Sequence, residues 1–268
     1  KDKVLLDACA APGGKSFQIL SKKLNVYDEI PELLSVSLGA AETSLINLTS
    51  AYAPFVNGGI KIEPKLISRI QDRRGKTIFK TKSRECLGCD KFINGSDEYP
   101  IIKNINERVM SEETAYQMVT ILNGAVKRGT AKRLKDLDVP IAGKTGTTNQ
   151  NKDAWFIGYT PDLVIGVYVG YDQPKSLGYK QTGSSVAVPI FKNFAKKIKI
   201  NKNKKPFRIP SGISFVRIDP RNGMISNQEG SISEPFILGS EPYSGNVNII
   251  DGLENFNNNS ISGTGGLL

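Results

Sequence analysis

Lys144, Thr145, Gly146 and Thr147 stand in the stretch of this sequence densest in groups suited to chemistry, Ile141-Ala142-Gly143-Lys144-Thr145-Gly146-Thr147-Thr148-Asn149. Successive side chains of an extended strand point to opposite faces. Thr145 and Thr147 then share one face, while Lys144 and Gly146 take the other. The result is a hydroxyl pair beside a cation, on backbone that glycine leaves bare enough for a substrate to touch. The plainer alternative is an ordinary strand-to-loop passage, so the rest of the chain has to decide between them.

Histidine is absent from the 268 residues. That removes Ser-His-Asp and Cys-His catalysis and every metal site that needs imidazole. Proton transfer falls to Lys, Asp, Glu, Tyr or a thiol. Cys86 and Cys89 form one Cys-x-x-Cys pair and Cys9 stands apart, whereas a zinc site wants a second pair. The pair reads as a loop disulfide if the chain is extracytoplasmic and as two free thiols if it is not. No metal and no cofactor is expected.

A hydrophobic content of 39% supports a real core, in one large domain or two small ones. The net charge of +10 suggests an anionic neighbour such as nucleic acid, a membrane or a wall polymer. Many lysines cluster at 196–205, however, with no aromatic interleaving, and they read as a solvated run rather than a nucleic-acid site. No apolar run is long enough to cross a bilayer, and the N-terminus lacks a signal-peptide layout. A cytosolic location or a targeting segment outside this chain is expected.

The positioning elements follow from periodicity. Tyr27 to Leu38 and Glu42 to Phe55 read as helices, the second stopped by Asn57-Gly58-Gly59. Ile60 to Ile62 and Leu66 to Ile70 alternate like strands, with a turn at Arg73 to Lys76 before Thr77-Ile78-Phe79. Residues 80–106 read as an irregular surface loop. Ser111 caps a helix with Glu112 and Glu113 in its first turn, and its apolar positions Ala115, Met118, Val119, Leu122 and Val126 define a buried face. Two apolar strands around Thr160-Pro161-Asp162 form a hairpin after the Lys144 stretch, and a helix from about Val188 to Lys199 covers them. Alternation over 207–219 predicts a small β appendage, and Asn, Ser and Gly dominate a tail expected to be disordered. Helices followed by antiparallel strands make an α+β fold.

The opening, Val4-Leu5-Leu6-Asp7-Ala8-Cys9-Ala10-Ala11-Pro12-Gly13-Gly14-Lys15-Ser16, reads as a strand, a Gly-rich turn and a helix start. It resembles the S-adenosylmethionine-binding first motif of the RNA cytosine-C5 methyltransferases. The later motifs of that family do not follow, so residues 1–23 are expected to be a methyltransferase-like remnant.

From Leu24 to Asp219 the chain resembles the second half of the transpeptidase domain of class A penicillin-binding proteins. The matching pieces are SVSLGAAETSLINLTSAYAPFVNGG, NGAVKRGTAKRL, IAGKTGTTNQNKDAWFIGYTPDLVIGVYVGYD and QTGSSVAVPIF, in family order. The resemblance implies a partial penicillin-binding/β-lactamase-like fold: an antiparallel sheet with covering helices over residues 24–200, the appendage over 201–250 and the tail over 251–268. It implies Lys144 as a catalytic cation, and Thr145, Gly146 and Thr147 as substrate-binding residues, with the Thr147 N–H an oxyanion donor. Peptidoglycan stem peptide and β-lactams are the implied partners, with no nucleic acid. The implied location is the periplasmic face of the inner membrane, with membrane attachment only through a missing N-terminal anchor. The family also needs SxxK and SxN motifs. No Ser here has Lys three residues on, and Ser244-Gly245-Asn246 comes after Lys144-Thr145-Gly146, in the wrong order. The chain is therefore expected to be inactive alone, with a non-catalytic peptidoglycan-binding module as the alternative.

Overall fold

The computed structural model describes residues 21–27, 41–81, 84–89, 99–202 and 204–242. The cradle at 4–16, the Tyr27–Leu38 helix beyond its first residue, and the tail from 251 lie outside the described residues.

At the centre is an antiparallel sheet ordered β5 (Ala142–Thr147), β6 (Ala154–Tyr159), β7 (Val164–Val169). Its register is unbroken, from Ala142 opposite Tyr159 to Thr147 opposite Ala154, and from Ala154 opposite Val169 to Tyr159 opposite Val164. Thr160 N donates to Leu163 O across the β6–β7 turn, at 2.9 Å.

Alternation sorts these strands into two buried faces. Phe156 and Val167 lie under α4 (Val188–Lys197), which turns Val188, Phe191 and Ala195 inward at helical spacing. The Phe156 and Phe191 rings meet edge to face at 5.0 Å. Gly158 makes room for both, since a Cβ there would stand 2.5 Å from the Phe156 ring and 2.6 Å from that of Phe191. On the other face Ala142 and Tyr159 pack with Val119 and Leu122 of α3 (Glu112–Lys127) and with Tyr52 and Phe55. The fold is thus mixed α/β, with a helix on one side of the sheet and helices on the other.

The helix α3 matches its sequence signals. Ser111 Oγ accepts from Thr114 N, Glu112 and Glu113 occupy the positive end, and Lys127 the negative end. The expected Glu42–Phe55 helix is instead two, α1 (Leu45–Ala51), capped by Ser44, and α2 (Ala53–Val56). Pro54 sits in the first turn of α2, where it has no N–H to continue α1.

Two further expectations are corrected. Of the strands read at Ile60–Ile62 and Leu66–Ile70, only β1 (Arg69–Gln71) forms, paired with β2 (Thr77–Lys80). Pro64 interrupts the run, and Leu66 is fully exposed at 101%, so no core rewards its alternation. The supposed loop at 80–106 contains β3 (Arg84–Leu87) and β4 (Ile101–Asn104), antiparallel to each other. Cys86, in β3, is disulfide-bonded to Cys89.

The appendage is β8 (Ile213–Ile218) paired with β9 (Ile232–Ile237), whose Pro235 hid it from the sequence reading. It rests on α3 through the Phe215–Tyr116 ring pair, the Gln117 side chain donating to Pro235 O, and the Arg128–Glu234 ion pair at 2.9 Å.

Two core tyrosines give the fold a pH dependence. Burial pushes the Tyr52 phenol up to about 12, and raises that of Tyr159, whose ring lies 6.2 Å away, further still. Folded values above the unfolded 10.0 favour the neutral form. Their contribution to stability is therefore complete below pH 10 and is lost as the pH rises from there through 12. In an alkaline titration followed by tyrosinate absorbance, two of the nine tyrosines are expected to ionise only as the protein unfolds. Ionisation of all nine near pH 10 with the fold intact would refute this.

Candidate functional site

β5 is an edge strand among the described residues, and it carries the predicted residues on its two faces. Lys144 is exposed, and its Nζ donates to Thr145 O at 2.9 Å. Thr145 and Thr147 point the other way, toward the α4 side. Thr145 Oγ1 lies 2.9 Å from Thr130 Oγ1, and Thr147 Oγ1 accepts from Gly183 N at 3.0 Å.

Two segments that the sequence offered only as pieces of the family resemblance, with no site role for their residues, hold these hydroxyls. Thr130 lies between the end of α3 and the 3₁₀ turn Lys132–Leu137, and its carbonyl accepts from Ser184 Oγ at 2.5 Å. Gly183 and Ser184 belong to the π-helical turn Gly183–Ala187 that leads into α4. A capping box fixes this turn: Thr182 Oγ1 accepts from Ser185 N, and Ser185 Oγ accepts from Thr182 N at 2.8 Å. Gly183 presses on the sheet, where a Cβ would come within 2.6 Å of Gly146 O and 2.5 Å of Trp155 O. The Thr182-x-x-Ser185 spacing was the sequence signal for this turn. Nothing in the sequence said that it would land on β5.

The neck of the β5–β6 hairpin is also built from polar groups. Asp153 N donates to Thr148 Oγ1 at 2.8 Å, and Tyr168 OH donates to Asp153 Oδ1 at 2.9 Å. That hydrogen bond to Asp153 is the main reason the Tyr168 phenol is raised above its ordinary value. Trp155 pairs with Gly146 across the strands and lies against Tyr168, ring centroids 4.5 Å apart, on the same face as Lys144. Cys86 and Cys89 belong to the separate β3–β4 hairpin. Among the described residues no group of three His, Cys, Asp or Glu could hold a metal.

A threonine hydroxyl offers one donor and two acceptor positions. Thr147 Oγ1 uses an acceptor position on Gly183 N and keeps its O–H for an incoming group. The Thr145–Thr130 pair uses one hydrogen between two oxygens and keeps the other. With the Lys144 ammonium close by, this edge can receive an anionic group and an extended backbone together.

A family model described as the penicillin-binding protein transpeptidase domain matches residues 27–196. Penicillin-binding protein 1A of Rickettsia conorii is 39% identical over 236 residues, covering 87% of this chain and 30% of that protein. Its counterpart from Rickettsia prowazekii is 41% identical over 239 residues, covering 87% and 29%. The crystal structure of penicillin-binding protein 1A from Haemophilus influenzae superposes with a TM-score of 0.69 at 31% identity, over 83% of this chain and 36% of that one. The chain thus spans about 30% of the length of these curated relatives. The methyltransferase-like reading of residues 1–23 draws no support from these matches, which are to penicillin-binding proteins alone. Two-faced strand packing, the ordered β5 edge and the match over 27–196 agree, and the chain belongs to the family of penicillin-binding protein transpeptidase domains.

Proposed function

We propose that this chain supplies the substrate-binding edge of a peptidoglycan D,D-transpeptidase, acting on the D-Ala-D-Ala end of a stem peptide and on the β-lactams that mimic it. The carrying observation is that Thr147 Oγ1 is fixed by Gly183 N with its own O–H left to donate, beside Thr145 on an edge strand. The terminal carboxylate accepts from the hydroxyls of Thr145 and Thr147. The Thr147 N–H polarises the scissile carbonyl, and Gly146 lets the peptide lie close. Lys144, on the opposite face of the same edge strand, supplies positive potential beside them. The work is done at the periplasmic face of the inner membrane. Among the described residues no helix is long and apolar enough to cross a membrane.

Acyl transfer needs a serine whose proton is drawn off as it attacks the carbonyl. These 268 residues contain no Ser-x-x-Lys, so this chain by itself binds without acylating. Incubation with labelled penicillin is expected to give no covalent adduct, and a serine-linked adduct on the purified chain would overturn the claim. A D-Ala-D-Ala peptide is expected to shift the amide resonances of β5 reversibly. Thr147→Val should weaken that binding roughly tenfold, the worth of one hydrogen bond to a charged group. Shifts that bypass β5 would sink the assignment of the edge.

A further inference from the structure

The hydroxyl that meets Thr145 comes from outside β5. Thr130 Oγ1 lies 2.9 Å from Thr145 Oγ1, and either oxygen can be the donor. The backbone around Thr130 is fixed from two sides. Gly129 N donates to Gly124 O at 3.2 Å and Ala131 N to Ala125 O at 3.0 Å, so both neighbours stay tied to the last turns of α3. Gly129 presses on that helix, where a Cβ would stand 2.9 Å from Ala125 Cα, and Ala131 is fully buried. From the other side Ser184 Oγ donates to Thr130 O. Ser184 follows Gly183, whose N–H holds Thr147 Oγ1, so one turn braces Thr130 and Thr147 together.

Thr130 is nonetheless exposed, and Thr145 is only half-buried, so the pair is open to a ligand. A hydroxyl held in place by its backbone loses little freedom when a ligand uses it. An arriving carboxylate also gives the pair a direction. An ionised carboxylate accepts and cannot donate, so the Thr145 hydrogen turns toward it and a Thr145 lone pair opens toward Thr130. The hydrogen bonds then run one way, from Thr130 to Thr145 to the anion, each polarising the next. An uncharged carboxamide end draws on this chain less, because a hydrogen bond to a charged acceptor is roughly twice as strong as one to a neutral group.

We infer that Thr130 is a positioning residue for the terminal carboxylate of the ligand: it donates to Thr145 Oγ1, commits the Thr145 hydrogen to the ligand, and so favours a free carboxylate end over an uncharged one. The assignment rests on the reading of β5 as the D-Ala-D-Ala edge. It adds to the Lys144-Thr145-Gly146 strand a specificity-setting hydroxyl from 15 residues upstream of Thr145.

Amide-resonance titrations of the full chain with a D-Ala-D-Ala peptide, and with the same peptide ending in a carboxamide, test the inference. Thr130→Val replaces the hydroxyl by a methyl group. It should weaken the carboxylate peptide roughly fivefold, the net worth of one hydrogen bond, and the carboxamide peptide by less than about twofold. Thr130→Ser keeps the hydroxyl and should restore the preference. On a Thr145→Val background Thr130→Val should add almost nothing, because the group through which it acts is gone. Circular dichroism separates lost binding from lost folding, and Thr130→Ala gives the same readout should valine disturb the turn. A carboxylate preference that survives loss of the Thr130 hydroxyl overturns the inference. So does equal weakening of both peptides, which marks a structural role, or a full further loss on the Thr145→Val background. If the unaltered chain shows no carboxylate preference at β5, the reading of the edge fails and the role of Thr130 with it. If that preference is present and indifferent to Thr130, the role of Thr130 alone fails.

Discussion

Phe191→Ala is expected to lower the free energy of unfolding by about 3–5 kcal/mol, the range for deleting a buried aromatic ring. Phe191 is fully buried and lies edge to face with Phe156, over the space that Gly158 leaves. Val188 and Ala195 flank it on one rigid helix turn to either side, so the cavity cannot close by a small shift of one neighbour. Urea denaturation is the measurement, and a loss below about 1 kcal/mol would mean that α4 is not seated as described. Phe194→Ala on the same helix is the internal control. Its ring is about half exposed, and its loss should stay under about 1 kcal/mol.

Gly183→Val is the second large effect. Its Cβ would stand 2.5 Å from Trp155 O and 2.6 Å from Gly146 O, and both are backbone atoms that cannot swing aside. Either β5 and β6 bend or the turn lifts, and forcing such a contact costs about 1–3 kcal/mol. Lifting the turn also breaks the Gly183 N–Thr147 Oγ1 bond and pulls Ser184 from Thr130 O, adding about 0.5–1.5 kcal/mol for each bond. Two readouts follow: a lower urea midpoint, and faster hydrogen exchange at Gly146 and Thr147. Because the hydroxyl of Thr147 loses its anchor, D-Ala-D-Ala peptide binding should fall with them. An unchanged midpoint together with unchanged β5 exchange would show that the turn does not clamp the strand.

Conditions should affect the two parts of the molecule differently. The alkaline transition linked to Tyr52 and Tyr159 reports on the α3 side of the sheet, whereas Phe191 and Gly183 report on the α4 side. A substitution on one face that left the tyrosine transition unmoved would indicate that the two cores melt separately.

Much of the fold was legible where one local signal acted alone. The N-cap at Ser111 and the apolar period of α3 are contacts within a few residues of each other, and they came out as expected. The β5, β6 and β7 runs were legible for the same reason, since an alternating apolar strand needs only a core on each side to keep its pattern. Leu66 and Ile67 carried the same kind of pattern and did not become a strand. Alternation states what a strand could bury, not whether anything arrives to cover it. β3, β4 and β9 were missed for the converse reason. Their pairing partners supply the signal, and β3 finds β4 only across the intervening segment, while Pro235 in β9 argues locally against a strand that the register with β8 tolerates.

Composition and spacing alone settled the chemistry these 268 residues can offer: no imidazole, one Lys-Thr-Gly strand with a second threonine two residues on, and no Ser-x-x-Lys. Those are properties of composition and spacing, and folding cannot alter them. The tertiary structure decided which lone pairs and hydrogens of that strand remain for a ligand. Thr130 lies 15 residues from Thr145, Gly183 36 from Thr147 and Ser184 54 from Thr130, so only the packing of α4 and of the end of α3 on the sheet could bring these groups together.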